Sequence, residues 1–247
     1  MLTFNIQHIN ECDSTNAYLQ RMILCEAVAE GTVVSTSFQT KGRGQLTNVW
    51  EAEEGKNILC SILLRPTALP IKSQFLISQA ISVAIVDVLN TFAEDFSIKW
   101  PNDIYYKEEK IAGILIENTL SSKGIDSCII GLGLNVNQQS FKSDAPNPIS
   151  LHNIIGKESS VSALIERILE RCDRGYELVY TNVALLRENY FNNLLFCGQM
   201  RRYSDSEGEF IGKIVDVEND GHLIIEDECG KKRRYAFKEI QFKREQN

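Results

Sequence analysis

No stretch of this 247-residue chain reaches about 18 uninterrupted apolar residues, so no membrane span is expected. No C-x-x-C pair occurs either. The seven cysteines (Cys12, Cys25, Cys60, Cys128, Cys172, Cys197 and Cys229) are odd in number and widely spaced, which argues against a disulfide framework or a zinc site and for reduced thiols. The three histidines, His8, His152 and His222, are isolated from one another, and no metal-ligand set is expected. Positive charge is also short. With 26 Lys+Arg against 33 Asp+Glu the net charge is -7 and the pI about 5.2, which removes non-specific attraction to a phosphate backbone. The basic pairs Arg201-Arg202 and Lys231-Lys232-Arg233-Arg234 are interleaved with acidic residues and read as solvated strand ends. The N-terminus lacks the basic region, apolar core and cleavage site of a secretory signal. The expectation is a cytoplasmic protein with no DNA and no membrane partner.

At 43% apolar residues, the chain can bury a sizeable core in one large and one small domain. Residues 4–9, 32–38, 57–64, 98–100 and 128–136 read as strands, being short and rich in β-branched or aliphatic residues. Residues 74–92 carry Phe75, Ile77, Ile81, Ile85, Val88 and Leu89 in an almost wholly apolar helical pattern, as expected of a core helix. Ser159 or Ser160 can cap a helix with apolar residues at spacings of three and four from Val161 to Cys172, and another helical stretch runs over 183–195. Beyond Cys197 the texture changes to short alternating strands at 209–217, 222–226 and 233–237, separated by the turn pairs Asp220-Gly221 and Cys229-Gly230. That pattern predicts a small β-barrel appended to an α+β domain.

The segment 99–118, KWPNDIYYKEEKIAGILIEN, is the centre of the chain. Two apolar runs flank the charged tip at 107–109, as in a hairpin, and Pro101-Asn102-Asp103 precedes them as a turn signal. If the hairpin closes, Asp103 and Lys110 face one another, and Gly113 permits close approach to the backbone. A strand-end cap at Lys110 and a turn role for Asp103 are the plainer alternatives. The polar loop 39–48 exposes backbone N–H groups at Gly42 and Gly44 beside Lys41 and Arg43, a combination suited to a phosphate or carboxylate. It is not a standard nucleotide motif: G-x-x-x-x-G-K-[ST] is absent, and the dinucleotide fingerprint fails at Thr47, as it fails at Val136 for the pair Gly131 and Gly133. Together with the polar helix start Ser14-Thr15-Asn16, these parts could hold a small carboxylic acid against a nucleotide phosphate, with Arg43 and Lys110 neutralising the charge that develops.

The ordered motifs DSTN at 13–16, QTKGRGQ at 39–45 followed by Trp50, KWPND at 99–103, KIAGILIE at 110–117 and GLGLNVN at 131–137 resemble those of the biotin protein ligases, relatives of the lipoate ligases. The resemblance covers nearly the whole chain. It implies an α+β fold: a central mixed or antiparallel sheet with helices, of the class II synthetase-like type, over 1–195, and an SH3-like β domain over 196–247. It also implies a two-step reaction, in which biotin and MgATP give biotinyl-5′-AMP and pyrophosphate, and a lysine of a biotin carboxyl carrier domain then takes the biotinyl group.

Carried over residue by residue, the resemblance implies that Ser14, Thr15 and Gln39 bind the ureido end of biotin, with Asn16 and Gly42 beside them. Gly113, Leu115, Gly131 and Gly133 would line its tail slot. Arg43 and Lys110 would contact the carboxylate and adenylate phosphate. Trp50, Asn102 and Asn135, with Gly44 and Gln45, would lie on the adenylate side. Asp103 would position the attacking amine or orient Lys110. ATP and Mg2+ enter as the substrate complex, with no resident metal, and the chain is expected to act as a monomer or homodimer. The family's usual loop GRGRRGR is here GRGQLTN, which places Gln45 where a second arginine is usual and predicts a less charge-assisted closure. DSTN begins only thirteen residues in, so a ligase without a DNA-binding repressor domain is expected. The alternatives are a lipoate or octanoate ligase or transferase of the same superfamily, and a non-catalytic binding module.

Overall fold

Ile58–Leu64 (β3) has six apolar residues and one serine, a run with no polar face, and every residue of it is buried. Such a strand belongs in the middle of a sheet covered on both sides. The computed structural model describes residues 1–45, 48–122, 124–142 and 147–243 and places β3 third in a seven-stranded mixed sheet of order β1-β2-β3-β7-β6-β5-β4. The other strands are Asn5–Cys12 (β1), Thr32–Gln39 (β2), Phe96–Lys99 (β4), Asp103–Tyr106 (β5), Glu109–Ser121 (β6) and Gly124–Leu134 (β7). β1 pairs parallel to β2, and the remaining pairs are antiparallel.

The two faces of the sheet are separated by strand parity. Ile58, Cys60, Ile62 and Leu64 join a core under Phe75–Leu89 (α2) and Val161–Thr181 (α4), while Leu63 and Ile129 join a smaller cluster with Leu19 of Thr15–Cys25 (α1). The stretch 71–89 is long and apolar enough to cross a membrane by length and composition. In the fold it is a core helix, with only Phe75 and Asp87 of α2 outside the buried set. Of the two serines the sequence offers, Ser160 caps α4, accepting from Ala163 N at 3.3 Å. Among the short elements not anticipated are Leu151–Ile155 (α3), held by a Ser150/Asn153 capping box but too short for periodicity to reveal, and the charged strand Arg201–Asp205 (β8).

β8 opens a five-stranded antiparallel sheet with Gly208–Val217 (β9), Leu223–Asp227 (β10), Lys232–Tyr235 (β11) and Gln241–Phe242 (β12), in the order β11-β10-β9-β8-β12. It is fastened to the first sheet by specific bonds: Trp100 Nε1 donates to Gly221 O at 2.9 Å, and Arg187 of Val183–Asn192 (α5) reaches Asp216 at 2.6 Å. Tyr203, Ile214 and Tyr235 belong to the same buried cluster as α2, so one core runs through both sheets. Glu218, Asp220 and His222 bring ligand atoms within 4.8 Å of one another, a grouping the isolated histidines did not foretell. Arg234 bonds both of those carboxylates, at 2.6 and 2.7 Å, making the group a surface ion-pair cluster.

Candidate active site

The hairpin forms, in a register the sequence could not give. Asp103 lies opposite Gly113 and Lys110 opposite Tyr105, with a bulge between Ile104 and Tyr105. Lys110 nevertheless reaches diagonally to Asp103, with Nζ 2.7 Å from Oδ1 and both side chains about a quarter exposed. Asn102 ties the turn to β6 from both ends, donating through Nδ2 to Ile114 O and accepting from Ile114 N at 2.9 Å.

Further along β6 a second polar group is assembled. Ser61, Gly131 and Leu115 are side by side on β3, β7 and β6. A Cβ on Gly131 would strike Asn16 Oδ1, so the glycine is what lets the Asn16 carboxamide lie across all three strands. Its Nδ2 donates to Leu115 O at 3.3 Å and to Glu117 Oε2 at 2.7 Å, which fixes the amide orientation, and its Oδ1 faces Ser61 Oγ at 2.6 Å. An amide oxygen can only accept, so the Ser61 hydroxyl donates to it. The same hydroxyl lies 2.7 Å from Thr15 Oγ1, which donates to Gln39 Oε1 at 3.2 Å. Gln39 Oε1 also accepts from Thr15 N at 2.8 Å. Ser14 occupies the cap position of α1 without a side-chain cap bond, which leaves its hydroxyl among the cavity walls. Asp13 anchors this turn: the Arg21 guanidinium, with the Ser14 N–H, holds its carboxyl well below the usual carboxylate range.

Trp50 lies between these groups. Its indole covers Gly113 and Gly133, which are ladder partners, and a Cβ on Gly133 would sit 2.5 Å from the ring. Its Nε1 is buried with no hydrogen-bond partner among the described residues. Gly42 receives the loop's return, its O accepting from Trp50 N at 3.1 Å. Arg43 pairs with Glu117, NH2 to Oε2 at 2.9 Å.

One cavity of about 590 Å³ joins all of this: Ser14, Thr15, Asn16 and Gln39 at one end, Gly113, Leu115, Gly131 and Gly133 along the floor, and Arg43, Gly44, Gln45, Trp50, Asn102, Asp103 and Lys110 at the other walls. Two predicted residues are not among its walls. Asn135 is buried, donating to Ile149 O at 3.0 Å and so fixing the 147–151 segment, and Gly42 serves the loop turn. Leu46 and Thr47 lie outside the described residues. The cavity also has walls that the sequence reading missed. Phe237, Lys238, Ile240, Gln241 and Phe242 close it from the second sheet, and Lys99 adds a cation whose Nζ lies 3.1 Å from Tyr105 Oη and 5.7 Å from the Phe242 ring centre. Ser61 was legible in retrospect as the lone polar residue in an apolar strand.

Chemically, the cavity presents hydrogen-bonding groups at one end, a glycine floor, and four cations (Arg43, Lys99, Lys110 and Lys238) around a single lining carboxylate, Asp103, among the described residues. That suits an elongated ligand with a polar head and an anionic tail. Along β6 the head group at Leu115 and the cation at Lys110 are five residues apart, roughly 16 Å at strand rise.

The sequence profile of the Biotin/lipoate A/B protein ligase family matches residues 9–135. The chain is 34% identical over 217 residues to the bifunctional ligase/repressor BirA of Bacillus spizizenii, covering 84% of this chain and 65% of that protein. It is 25% identical to the biotin--[acetyl-CoA-carboxylase] ligase of Mycobacterium tuberculosis, over 88% of this chain and 82% of the relative. Among solved structures it is similar to the biotin protein ligase of Aquifex aeolicus in complex with biotin and ATP, with a TM-score of 0.80, 27% identity, and coverage of 98% of this chain and 99% of that one. The chain thus spans under two thirds of the length of the Bacillus relative.

Proposed function

The chain belongs to the biotin/lipoate A/B protein ligase family, and on that premise we propose that it is an ATP-dependent biotin ligase. The biotin carboxylate attacks the α-phosphorus of ATP, forming an acyl–phosphate bond while pyrophosphate leaves. The amine of a carrier-domain lysine then attacks the acyl carbon, forming an amide while AMP leaves. Lys110 and Arg43 neutralise charge at the phosphate, where it grows in the first transition state. Asp103 orients Lys110 and faces the incoming amine. Mg2+ would arrive on the triphosphate with much of its water shell, and the cavity offers it one carboxylate, already held by Lys110.

The observation that carries biotin over other acids is the direction of the hydrogen bonds at the closed end. Because the Thr15 hydroxyl donates to Gln39 Oε1, it turns a lone pair toward a ligand, and a ureido N–H satisfies it. An alkyl or dithiolane head would leave buried polar groups unpaired, which costs about 1–3 kcal/mol for each. Pyrophosphate release from ATP that depends on biotin, and not on lipoate or octanoate, tests the reading. Release with lipoate or octanoate instead would replace it, and release with none would leave a binding module.

The partner in this reading is a biotin carboxyl carrier domain in the cytoplasm, met by a monomer or homodimer without DNA. Three arginines of the second sheet support the last point: Arg202, Arg233 and Arg234 are each paired with carboxylates of the same sheet or its turns. Specific DNA binding in a gel shift at physiological salt would overturn it.

A further inference from the structure

Glu117 is not a wall of the cavity, yet one oxygen of its carboxylate holds two residues that are. Oε2 accepts from Asn16 Nδ2 at 2.7 Å and from Arg43 NH2 at 2.9 Å. Asn16 starts α1, Arg43 stands on the glycine loop, and Glu117 projects from β6, so a single atom ties three elements together. The bonds converge on that atom: Ser61 donates to Asn16 and Asn16 to Glu117, with Arg43 donating from the other side.

We propose that Glu117 is a positioning residue for this site, orienting the Asn16 carboxamide at the head end and holding Arg43 on the loop until an anionic ligand takes the guanidinium. The proposal rests on the ligase reading above. Its chemistry follows from the two contacts being unequal. Asn16 is 2% exposed, so its amide keeps its orientation only while its partners remain. The Arg43 and Glu117 side chains are 42% and 38% exposed, and a pair in that setting shifts an equilibrium by no more than about fivefold. A phosphate, with better geometry for a guanidinium fork, outcompetes such a pair. Glu117 therefore holds Arg43 weakly enough to release it and Asn16 firmly enough to keep the head end formed.

Glu117→Gln separates the two roles, because the glutamine oxygen still accepts from Asn16 while the charge that holds Arg43 is gone. Glu117→Ala removes both. In the ligand-free protein, trypsin should cut after Arg43 about two to five times faster in Glu117→Gln than in the wild type, relative to cuts elsewhere in the chain. By calorimetry, Glu117→Gln should bind biotin within about twofold of wild type and biotinol-5′-AMP, an unreactive phosphodiester, up to about fivefold more tightly. Glu117→Ala should weaken biotin by about threefold or more, which the glutamine variant restores. Unchanged cleavage after Arg43 in Glu117→Gln, or equal loss of biotin binding in both variants, overturns the proposal. If wild-type protein binds neither compound, the ligase reading fails, and the cleavage comparison still decides whether Glu117 holds Arg43.

Discussion

Lys110 and Asp103 are joined by a 2.7 Å ion pair although neither is the other's ladder partner. The bulge between Ile104 and Tyr105 lets Lys110 take this diagonal across the ladder. A Cβ at Gly113, the ladder partner of Asp103, would crowd the Trp50 ring at 3.1 Å.

Lys110→Ala should reduce biotin-dependent pyrophosphate release by at least about 100-fold while changing biotin affinity far less. Asp103→Asn, which loosens the lysine without removing it, should cost about tenfold in turnover. Initial rates at saturating biotin, with calorimetry for binding, separate the effects; equal loss of rate and affinity in Lys110→Ala would remove the transition-state role.

Gly133→Ala should displace the Trp50 indole, because the new methyl would sit 2.5 Å from the ring. Trp100, the only other tryptophan, is 5% exposed and bonded to Gly221, so a red shift in fluorescence reports Trp50 alone. Overpacking at this floor should lower stability by about 1–3 kcal/mol in a urea melt. An unshifted spectrum would mean that the ring does not rest on this floor.

Phe237→Ala should raise the KM for ATP several-fold and leave biotin affinity unchanged. Phe237 packs 6.2 Å from Trp100, at the Pro101–Asp103 end of the cavity and away from the head group at Thr15 and Asn16. Its side chain is 42% exposed, so loss of fold is not the expected cause. Steady-state kinetics with each substrate varied in turn checks this.

Acid should weaken the second sheet through Asp205. The Tyr235 hydroxyl, 2.6 Å away, and then Arg233 hold its carboxyl below the usual range. A lowered folded-state value means the contribution is fully present above the unfolded carboxylate's pKa of about 3.9 and is lost as pH falls through the folded value. Asp205→Asn should therefore be less stable at pH 7, by about 1–2 kcal/mol, and lose less on going from pH 5 to pH 3. Parallel urea midpoints for the two proteins that keep a constant gap across this range would refute it.

Much of the fold could be read from the chain because its signals are local. The apolar run of α2, the Ser160 cap of α4 and the turn pairs between β9, β10 and β11 each act within a few residues. α3 and β8 escaped for the same reason, one too short and the other too charged to carry a pattern. The resemblance placed Asn135 on the adenylate side, and its bond to Ile149 O comes from a segment whose position no motif encodes.

The sequence by itself determined the chemistry available here: the cations Arg43 and Lys110, the polar start at Ser14 to Asn16, and glycines wherever backbone must be approached. Those are properties of residue type, which folding does not change. Only the tertiary structure decided which groups share an atom or a wall: Asn16 crossing three strands to Glu117, Trp50 lying on Gly113 and Gly133, and the second sheet closing the cavity with Phe237 and Phe242. Asn16 and Glu117 are separated by 101 positions, and contacts at that range depend on strand order and register, which no local pattern of hydrophobicity fixes.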